Sequence, residues 1–499
     1  MALQLKQYFP TFDLSQKQTN NIIFITFWSQ FSTYSINTIF ILFLTRPLIM
    51  HGLGYDQTKA YAFMGITGAM GYLMPIVGGY MADNVIGIRR SILIGSILVA
   101  LSYLLVMLSG YTLGALGDTL FIASYALLPA TNSLLMGTTS GLISHIYAKD
   151  AIKAKSAMTY YYLSINLGAL LAVIIAPGLL DSRYGPLSVF AITFVGKSIA
   201  ALNFVKRYTI YDSAIWGKDK EPFTKKNTTQ LVGYLTFIYL MTLYAYFHVY
   251  IASFLISIGS FLGILGFLIS TIRLTGNTRV KQMIALFLIL EAVVFFIIYN
   301  QMSTTLILFA QSNSDLNFLG FTISSAQYQM LNPLLILMIG TQLPRFYKRF
   351  PGFTIPLQFA AGTVLSGIAL LIMVLAAEQA QGGVVNGNYI AITYVFITLA
   401  ELLVSAIGLS MIGLYCNEKT LALAMGVWYL ASSMSNAISG RLAAWVSIPE
   451  TMHSAVERLP YYENYYLIMG LTALALGLIM YILAYFLHKI MRHYQIEVV

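Results

Sequence analysis

The chain has 499 residues, 58% of them hydrophobic and only 9% charged, and its mean hydropathy of +0.76 lies far outside the soluble globular range. The body of the molecule is therefore not a soluble domain, and the composition points to an all-α, polytopic membrane protein. The formal net charge of +10 could suggest nucleic acid or another anionic partner, so where the charge falls matters more than its size.

The first twenty residues are polar and lack the short apolar core and small-residue cleavage site of a secretory signal. The first apolar run is expected to remain as an anchor. Runs long enough to cross a bilayer, about 20 residues each, recur near 21–44, 60–82, 91–110, 118–143, 158–180, 187–205, 230–250, 252–272, 282–302, 328–346, 354–377, 389–414, 422–446 and 464–487. Alternating sides from a cytoplasmic amino terminus places 22 of the 28 basic residues on one face, from Lys6 and Lys17 to Lys489 and Arg492. Arg46, Lys59, Arg183 and Arg458 fall opposite, and Lys197 and Arg441 fall inside spans. The bias toward positive charge inside thus puts both termini in the cytoplasm, with no nucleic-acid partner needed to explain it.

Charge is densest in KRYTIYDSAIWGKDKEPFTKKN (206–227), which reads as a cytosolic linker. Six spans precede it and eight follow. The division expected is a cytosolic segment 1–20, a six-helix bundle 21–205, a linker 206–229, an inserted hairpin 230–272, a second six-helix bundle 273–487 and a cytosolic tail 488–499. The hairpin is apolar and aromatic, with His248 its notable polar side chain, and reads as peripheral packing. Cys416, a single cysteine, excludes an intrachain disulfide, and nothing in the chain has metal-ligand spacing. No cofactor or metal is expected.

Between the second and third spans, GGYMADNVIGIRR (78–90) joins Gly78 and Gly79 to Asp83 and the doublet Arg89 and Arg90. Glycines let helices approach closely, and an acid near a helix end can make contacts that break and re-form as two bundles rock. The loop resembles that of the major facilitator superfamily. Three further stretches, YYYLSINLGALL (160–171), QYQMLNP (327–333) and AELLVSAIGL (400–409), with MGVWYL (425–430), resemble the proton-coupled oligopeptide transporter family, and bacterial di- and tripeptide permeases most. The resemblance runs from about residue 21 to 490. It implies twelve core helices in two six-helix bundles plus the two-helix hairpin, fourteen in all, in a monomer of the bacterial inner membrane.

The resemblance also implies a central cavity that binds a short peptide by its charged ends. Asn166, Asn332 and Glu401 match positions that contact the peptide amino terminus and backbone, and Tyr34, Tyr72, Trp428 and Ser432 match positions lining side-chain pockets. Glu401 is the most informative, because a carboxylate in an apolar span is expensive unless it meets a polar cavity or a cation; the alternative is an inter-helix tie. The aromatic residues could equally be packing, and the two Asn side chains could bond helix to helix.

The first span departs from the family. Its motif of the form Glu-x-x-Glu-Arg-Phe-x-Tyr-Tyr falls on TFWSQFSTY (26–34), where both acids and the arginine have become Thr26, Ser29 and Gln30. Thr26, Gln30, Thr33 and Asn37 recur at helical spacing and form one polar stripe, which suggests a face that still meets water. A further arginine falls at Asn37, a lysine at Met136, and an acid at Asn300. The cations and acids of the amino-terminal half are thus absent, while Glu401 remains. A peptide carboxylate entering that half would meet no matched Arg or Lys, and coupling through the first-span cluster cannot occur; Glu401 is the candidate proton carrier. Lys197, Glu291 and Arg441 are charges inside spans that the motifs do not explain. Lys197 either faces the cavity and restores a cation, or snorkels or bonds to another helix.

The reading is a secondary active transporter of di- and tripeptides or peptide-like amines, working by alternating access, with protons as a second partner through an atypical coupling site. Its alternatives are a facilitator for a non-peptide cationic or amide substrate, or a transport-inactive receptor-like relative. With no nucleophile–base pair, metal cluster or phosphate loop, the chain is not read as an enzyme.

Overall fold

A computed structural model describes residues 13–416, 418–449 and 451–496; Lys6 and the rest of 1–12, and 497–499, lie outside the described residues. Helices follow one another along the chain: α1 (Leu14–Thr45), α2 (Gln57–Met81), α3 (Ile88–Ser109), α4 (Gly114–Tyr125), α5 (Leu127–Ser133), α6 (Thr138–Ile146), α7 (Ala151–Leu180), α8 (Pro186–Lys206), α9 (Lys225–Phe247) and α10 (Val249–Ile272). Then come α11 (Gly276–Tyr299), α12 (Thr305–Asn313), α13 (Leu331–Ile339), α14 (Leu343–Arg349), α15 (Ile355–Glu378), α16 (Gly387–Tyr415), α17 (Glu418–Ala443) and α18 (Ala455–His493). Strands β1 (Asn317–Phe318) and β2 (Phe321–Thr322) form a short antiparallel pair between α12 and α13.

Helix is the expected answer to these apolar runs, because in hydrocarbon every backbone N–H and C=O must be satisfied within the segment. Every one of the fourteen predicted runs is largely helical, and twelve helical stretches are long and apolar enough to cross a membrane. The two outside that set have different reasons. Helix α1 is 32 residues long but rich in hydroxyls and amides, while the run near 328–346 is divided between the short helices α13 and α14. In α1 three of the hydroxyls are satisfied locally: Ser32, Thr33 and Ser35 donate to the carbonyls of Trp28, Ser29 and Phe31 at 3.0, 3.0 and 2.8 Å. Bonds of this kind let Ser and Thr sit in a long apolar helix without an exposed donor.

The chain forms two compact units. The first contains residues up to Ile36, Met74–Ala172 and Leu187–Thr242. Its core joins Ile22, Ile25, Ile92, Leu142, Phe204 and Tyr211. The Tyr211 hydroxyl, from the linker, donates to Asn21 Oδ1 at 2.8 Å, and Ser133 bonds the hydroxyl of Tyr234 on α9 at 2.6 Å.

The second unit contains Asn37–Leu73, Val173–Pro186 and the chain from Leu243 onward. Phe267, Leu288, Phe359, Val404, Met411 and Trp428 lie in its core. Helices α2 and α17 cross with almost no side chain between them: a Cβ on Gly65 would stand 2.9 Å from Gly440 Cα. Around that crossing Ser433 donates to the Ala69 carbonyl at 2.9 Å, and Thr58 bonds Ser447 at 2.6 Å. Farther out Arg46 faces Asp181 at 3.6 Å. Gln327 and Gln329 donate to the carbonyls of Ile174 and Thr38, both at 3.0 Å. Within this unit, therefore, the first half of α2 is tied to α17, and the later halves of α1 and α7 to the turn before α13. Ser253 on α10 bonds the Ala437 carbonyl at 3.0 Å, which joins the predicted hairpin to α17.

Candidate functional site

In the second unit Glu401 lies midway along α16, whose start is fixed by the Asn386 side chain accepting the Asn388 N–H at 3.0 Å. Asn332 is held at the start of α13 by the preceding turn, capped reciprocally by Ser324 and Gln327. Its Nδ2 donates both to Glu401 Oε2 and, at 3.2 Å, to Thr398 Oγ1. Thr398 is fixed in turn by donating to the Tyr394 carbonyl at 2.8 Å. The Tyr299 hydroxyl also bonds Glu401, and Tyr72 lies close enough to share its field. Glu401 and Asn332 are each half-buried. Both Nδ2 hydrogens are engaged, so Asn332 Oδ1 remains an acceptor beside the carboxylate. An acid and an amide oxygen side by side suit a primary ammonium, which carries three donors and no acceptor.

The other expected residues of this unit are placed differently. Tyr72 and Asn37 are exposed, but Trp428 and Ser432 are buried. Trp428 lies over Gly408 and meets Phe296 edge-on at 5.8 Å, and Ser432 donates to the Trp428 carbonyl at 3.1 Å. In this conformation they are core, because the ring fits the space that Gly408 leaves. Glu291 on α11 is only 3% exposed, and neither carboxylate oxygen has a hydrogen-bond partner. The Asn300 Nδ2 is likewise buried without one. Arg441 does bond to another helix, donating to the Tyr250 carbonyl at 2.7 Å.

In the first unit Gln30 and Thr33 of the polar stripe are half-buried, and neighbouring Tyr34 is 38% exposed. Thr26, the stripe's first member, is buried with an unpartnered hydroxyl. Asn166 is buried, with one Nδ2 hydrogen turned back to the Tyr162 carbonyl at 3.0 Å. Lys197 does not snorkel. From α8 its Nζ reaches α1 and donates to Ser29 Oγ at 2.9 Å and Thr33 Oγ1 at 2.7 Å.

The loop at 78–90 is held within the first unit. A Cβ on Gly78 would collide with the Ser133 carbonyl at 2.2 Å, so Gly78 does provide a close helix contact, whereas a Cβ on Gly79 meets nothing within 4 Å. Asp83 is exposed and makes no ion pair among the described residues. The acids that engage the loop come from the linker instead. Asp219 accepts the backbone N–H of Arg89 at 2.8 Å and of Arg90 at 3.3 Å, Asp212 pairs with the Arg89 guanidinium at 2.6 Å, and that guanidinium lies 3.8 Å from the Tyr208 ring. Arg90 donates to the carbonyls of Lys218, Asp219 and Glu221. The sequence signal was the acid in GKDK beside the doublet, hidden because the two lie some 130 residues apart.

No cluster of three or more His, Cys, Asp or Glu side chains stands together among the described residues. The family model described as POT family matches residues 89–459. The dipeptide and tripeptide permease A of Proteus mirabilis is 30% identical over 477 residues, covering 94% of each chain. The permease of the same name from Escherichia coli K12 is 28% identical, covering 94% of this chain and 92% of its own. Among solved structures, one described as giving insights into substrate recognition in proton dependent oligopeptide transporters superposes with a TM-score of 0.81 at 25% identity, covering 95% of this chain and 99% of that one. Tetrameric PepTSo2 superposes with a TM-score of 0.83 at 25% identity, with the same coverage.

Proposed function

The chain belongs to the POT family, and from that premise we propose that it is a secondary transporter that carries di- and tripeptides across the membrane by alternating access. The observation that carries this reading is the Glu401–Asn332 pair: a half-buried acid in the middle of a membrane helix, with an amide oxygen left open beside it. A peptide amino terminus would give one N–H to the carboxylate and another to Asn332 Oδ1, with Tyr72 and Tyr299 bounding the place. The similarity to named dipeptide and tripeptide permeases supports peptides over other amines.

Coupling to protons is assigned to Glu401. The acids of the first-span motif are replaced by Thr26 and Ser29, and Glu291 is sealed in the core without a partner. A group that exchanges protons and ligand needs access to both, which half-burial of Glu401 supports and the sealed position of Glu291 does not. In that cycle the crossing at Gly65 and Gly440 opens as the first half of α2 separates from α17. The protein is further proposed to act as a monomer in a bacterial inner membrane with both termini cytoplasmic, supported by the 22 basic residues that alternation puts on one side.

The test is uptake of a neutral dipeptide and its amidated analogue into proteoliposomes, with and without an inward proton gradient, for wild type and Glu401→Gln. Gradient-driven dipeptide uptake that the variant loses is expected. Gradient-driven uptake that survives in Glu401→Gln would remove the coupling assignment, and uptake of the amidated ligand alone would replace the peptide reading with that of a carrier for cationic amines.

A further inference from the structure

Lys197 is 4% exposed and sits in the middle of α8, yet no carboxylate pairs with it among the described residues. Its partners are two neutral hydroxyls, Ser29 and Thr33, and the face of Tyr103 at 5.6 Å from the ring centroid. An ammonium has three donors, so one N–H is left without a hydrogen-bond partner. A buried cation without a counter-ion costs several kcal/mol, and inside a membrane such groups persist where a substrate or ion uses them. The hydroxyls are also placed where the family motif puts an acid and its neighbourhood: Ser29 occupies the second-acid position, one residue before Gln30 in the arginine position.

From this geometry we propose that Lys197, with Ser29 and Thr33, is the binding site for the carboxylate of the transported ligand, a cation moved from the first span to α8. The proposal rests on the peptide reading above for the identity of that ligand. A hydroxyl can accept from the ammonium and donate its own hydrogen elsewhere. A carboxylate arriving at this face would take up to three donors: the free N–H of Lys197 and the hydroxyls of Ser29 and Thr33, with the bond Thr33 now gives to the Ser29 carbonyl exchanged for a stronger charge-assisted one. Ser29 and Thr33 are both half-buried and flanked by the half-buried Gln30 and exposed Tyr34, so the approach is from the polar stripe of α1. A metal or phosphate is a poorer occupant: the cluster has no acid to ligate a cation, and one lysine does not neutralise a dianion.

The experiment is direct binding to detergent-purified full-length protein of dialanine and of its carboxy-amidated form, with melting temperature measured on every variant. Wild type is expected to prefer the free acid. Lys197→Met, close in volume, is expected to weaken the free acid by about 30-fold or more, the range for removing one partner of a buried charge pair, while leaving the amide unchanged. Thr33→Val is expected to weaken only the free acid, by several-fold, and covers the case in which Lys197→Met does not fold. Equal effects on both ligands, or none, at unchanged melting temperature would overturn the site. If wild type bound neither dipeptide, the peptide reading would fall separately. The lysine site would then be judged by thermal stabilisation with a simple monocarboxylate such as lactate: stabilisation lost in Lys197→Met upholds it, and no stabilisation of wild type overturns it.

Discussion

Replacing Asp219 by Ala tests whether the linker is part of the transporter's folded frame. Asp219 is 7% exposed and caps the first turn of α3 through two backbone N–H groups, at 2.8 and 3.3 Å. Loss of a helix cap costs about 0.5–2 kcal/mol, and an N–H left buried without an acceptor about 1–3 kcal/mol. The Arg90 Nε contact at 4.0 Å adds little, since that guanidinium is partly exposed. Taking the two N–H groups together, the substitution should cost roughly 3 kcal/mol. At about 2 cal/mol/K of unfolding entropy per residue, that is roughly a 3 °C fall in melting temperature for a chain of this length. Gly87 gives an internal check. It has φ +95°, and a Cβ there would stand 2.3 Å from Asp219 Oδ1, so Gly87→Ala should damage the same joint from the other side. Asp219→Asn retains an acceptor and should recover about half of the loss. The assay is thermal unfolding in detergent beside limited trypsin digestion, where release of the linker would hasten cleavage after Lys218 and Lys220. A shift below 1 °C with unchanged digestion would refute the claim that the linker caps α3.

Gly440→Val should force α2 and α17 apart, because even a Cβ would lie 2.6 Å from the Tyr61 carbonyl and 2.9 Å from Gly65 Cα; overpacking of this kind costs about 1–3 kcal/mol, and uptake per molecule of protein should fall at least about tenfold if the crossing takes part in the cycle. Unchanged melting temperature and uptake would exclude that role. Glu291→Leu removes two unpartnered oxygens from an apolar core and should stabilise by about 1–3 kcal/mol; a lower melting temperature would mean that the carboxyl contributes favourably. Burial pushes the Cys416 thiol up to about 11, so less of it is thiolate at any given pH. Two units above an ordinary thiol lowers the thiolate fraction about 100-fold. Maleimide labelling of Cys416 at pH 7 should be slower by about that factor than for a free peptide thiol, rising with pH; labelling at the ordinary rate would contradict the burial.

The spans were legible because hydrocarbon leaves the backbone one solution, so length and apolarity alone locate most helices. Glu401 with Asn332 was legible for a related reason: an acid in such a run must have a purpose or a partner, and the local words around positions 327–333 and 400–409 are family words. Pairings across the sequence were not. The bond between Lys197 and the Ser29–Thr33 pair spans more than 160 residues, and periodicity within α8 says which face a side chain takes but not which helix stands opposite. Asp83 and Asp219 show the same limit from the other side. The acid inside the motif is exposed, and the acid that holds the arginines belongs to a linker whose composition reads only as polar. Trp428 and Ser432 were placed on the pocket by family position, and burial over Gly408 makes them core here, because packing volume is invisible to a motif.

Lys197 changes what the neutral first span means. With Thr26, Ser29 and Gln30 read alone, the amino-terminal half of the chain carries no charge for a ligand, and a peptide carboxylate is repelled by desolvation. Once Lys197 is seen to donate to Ser29 and Thr33, the same hydroxyls become the acceptors that hold a relocated cation in place. The acids that would have neutralised such a cation are absent from the span. An ammonium without a counter-ion offers its charge to a ligand directly, and only the carboxylate end of that ligand gains from it. Binding of free and carboxy-amidated dialanine therefore separates the two ends: Glu401→Gln should weaken both ligands, because both present the same ammonium, while Thr33→Val should weaken only the free acid. A loss confined to the free acid in Glu401→Gln would reverse the assignment of roles between the two ends.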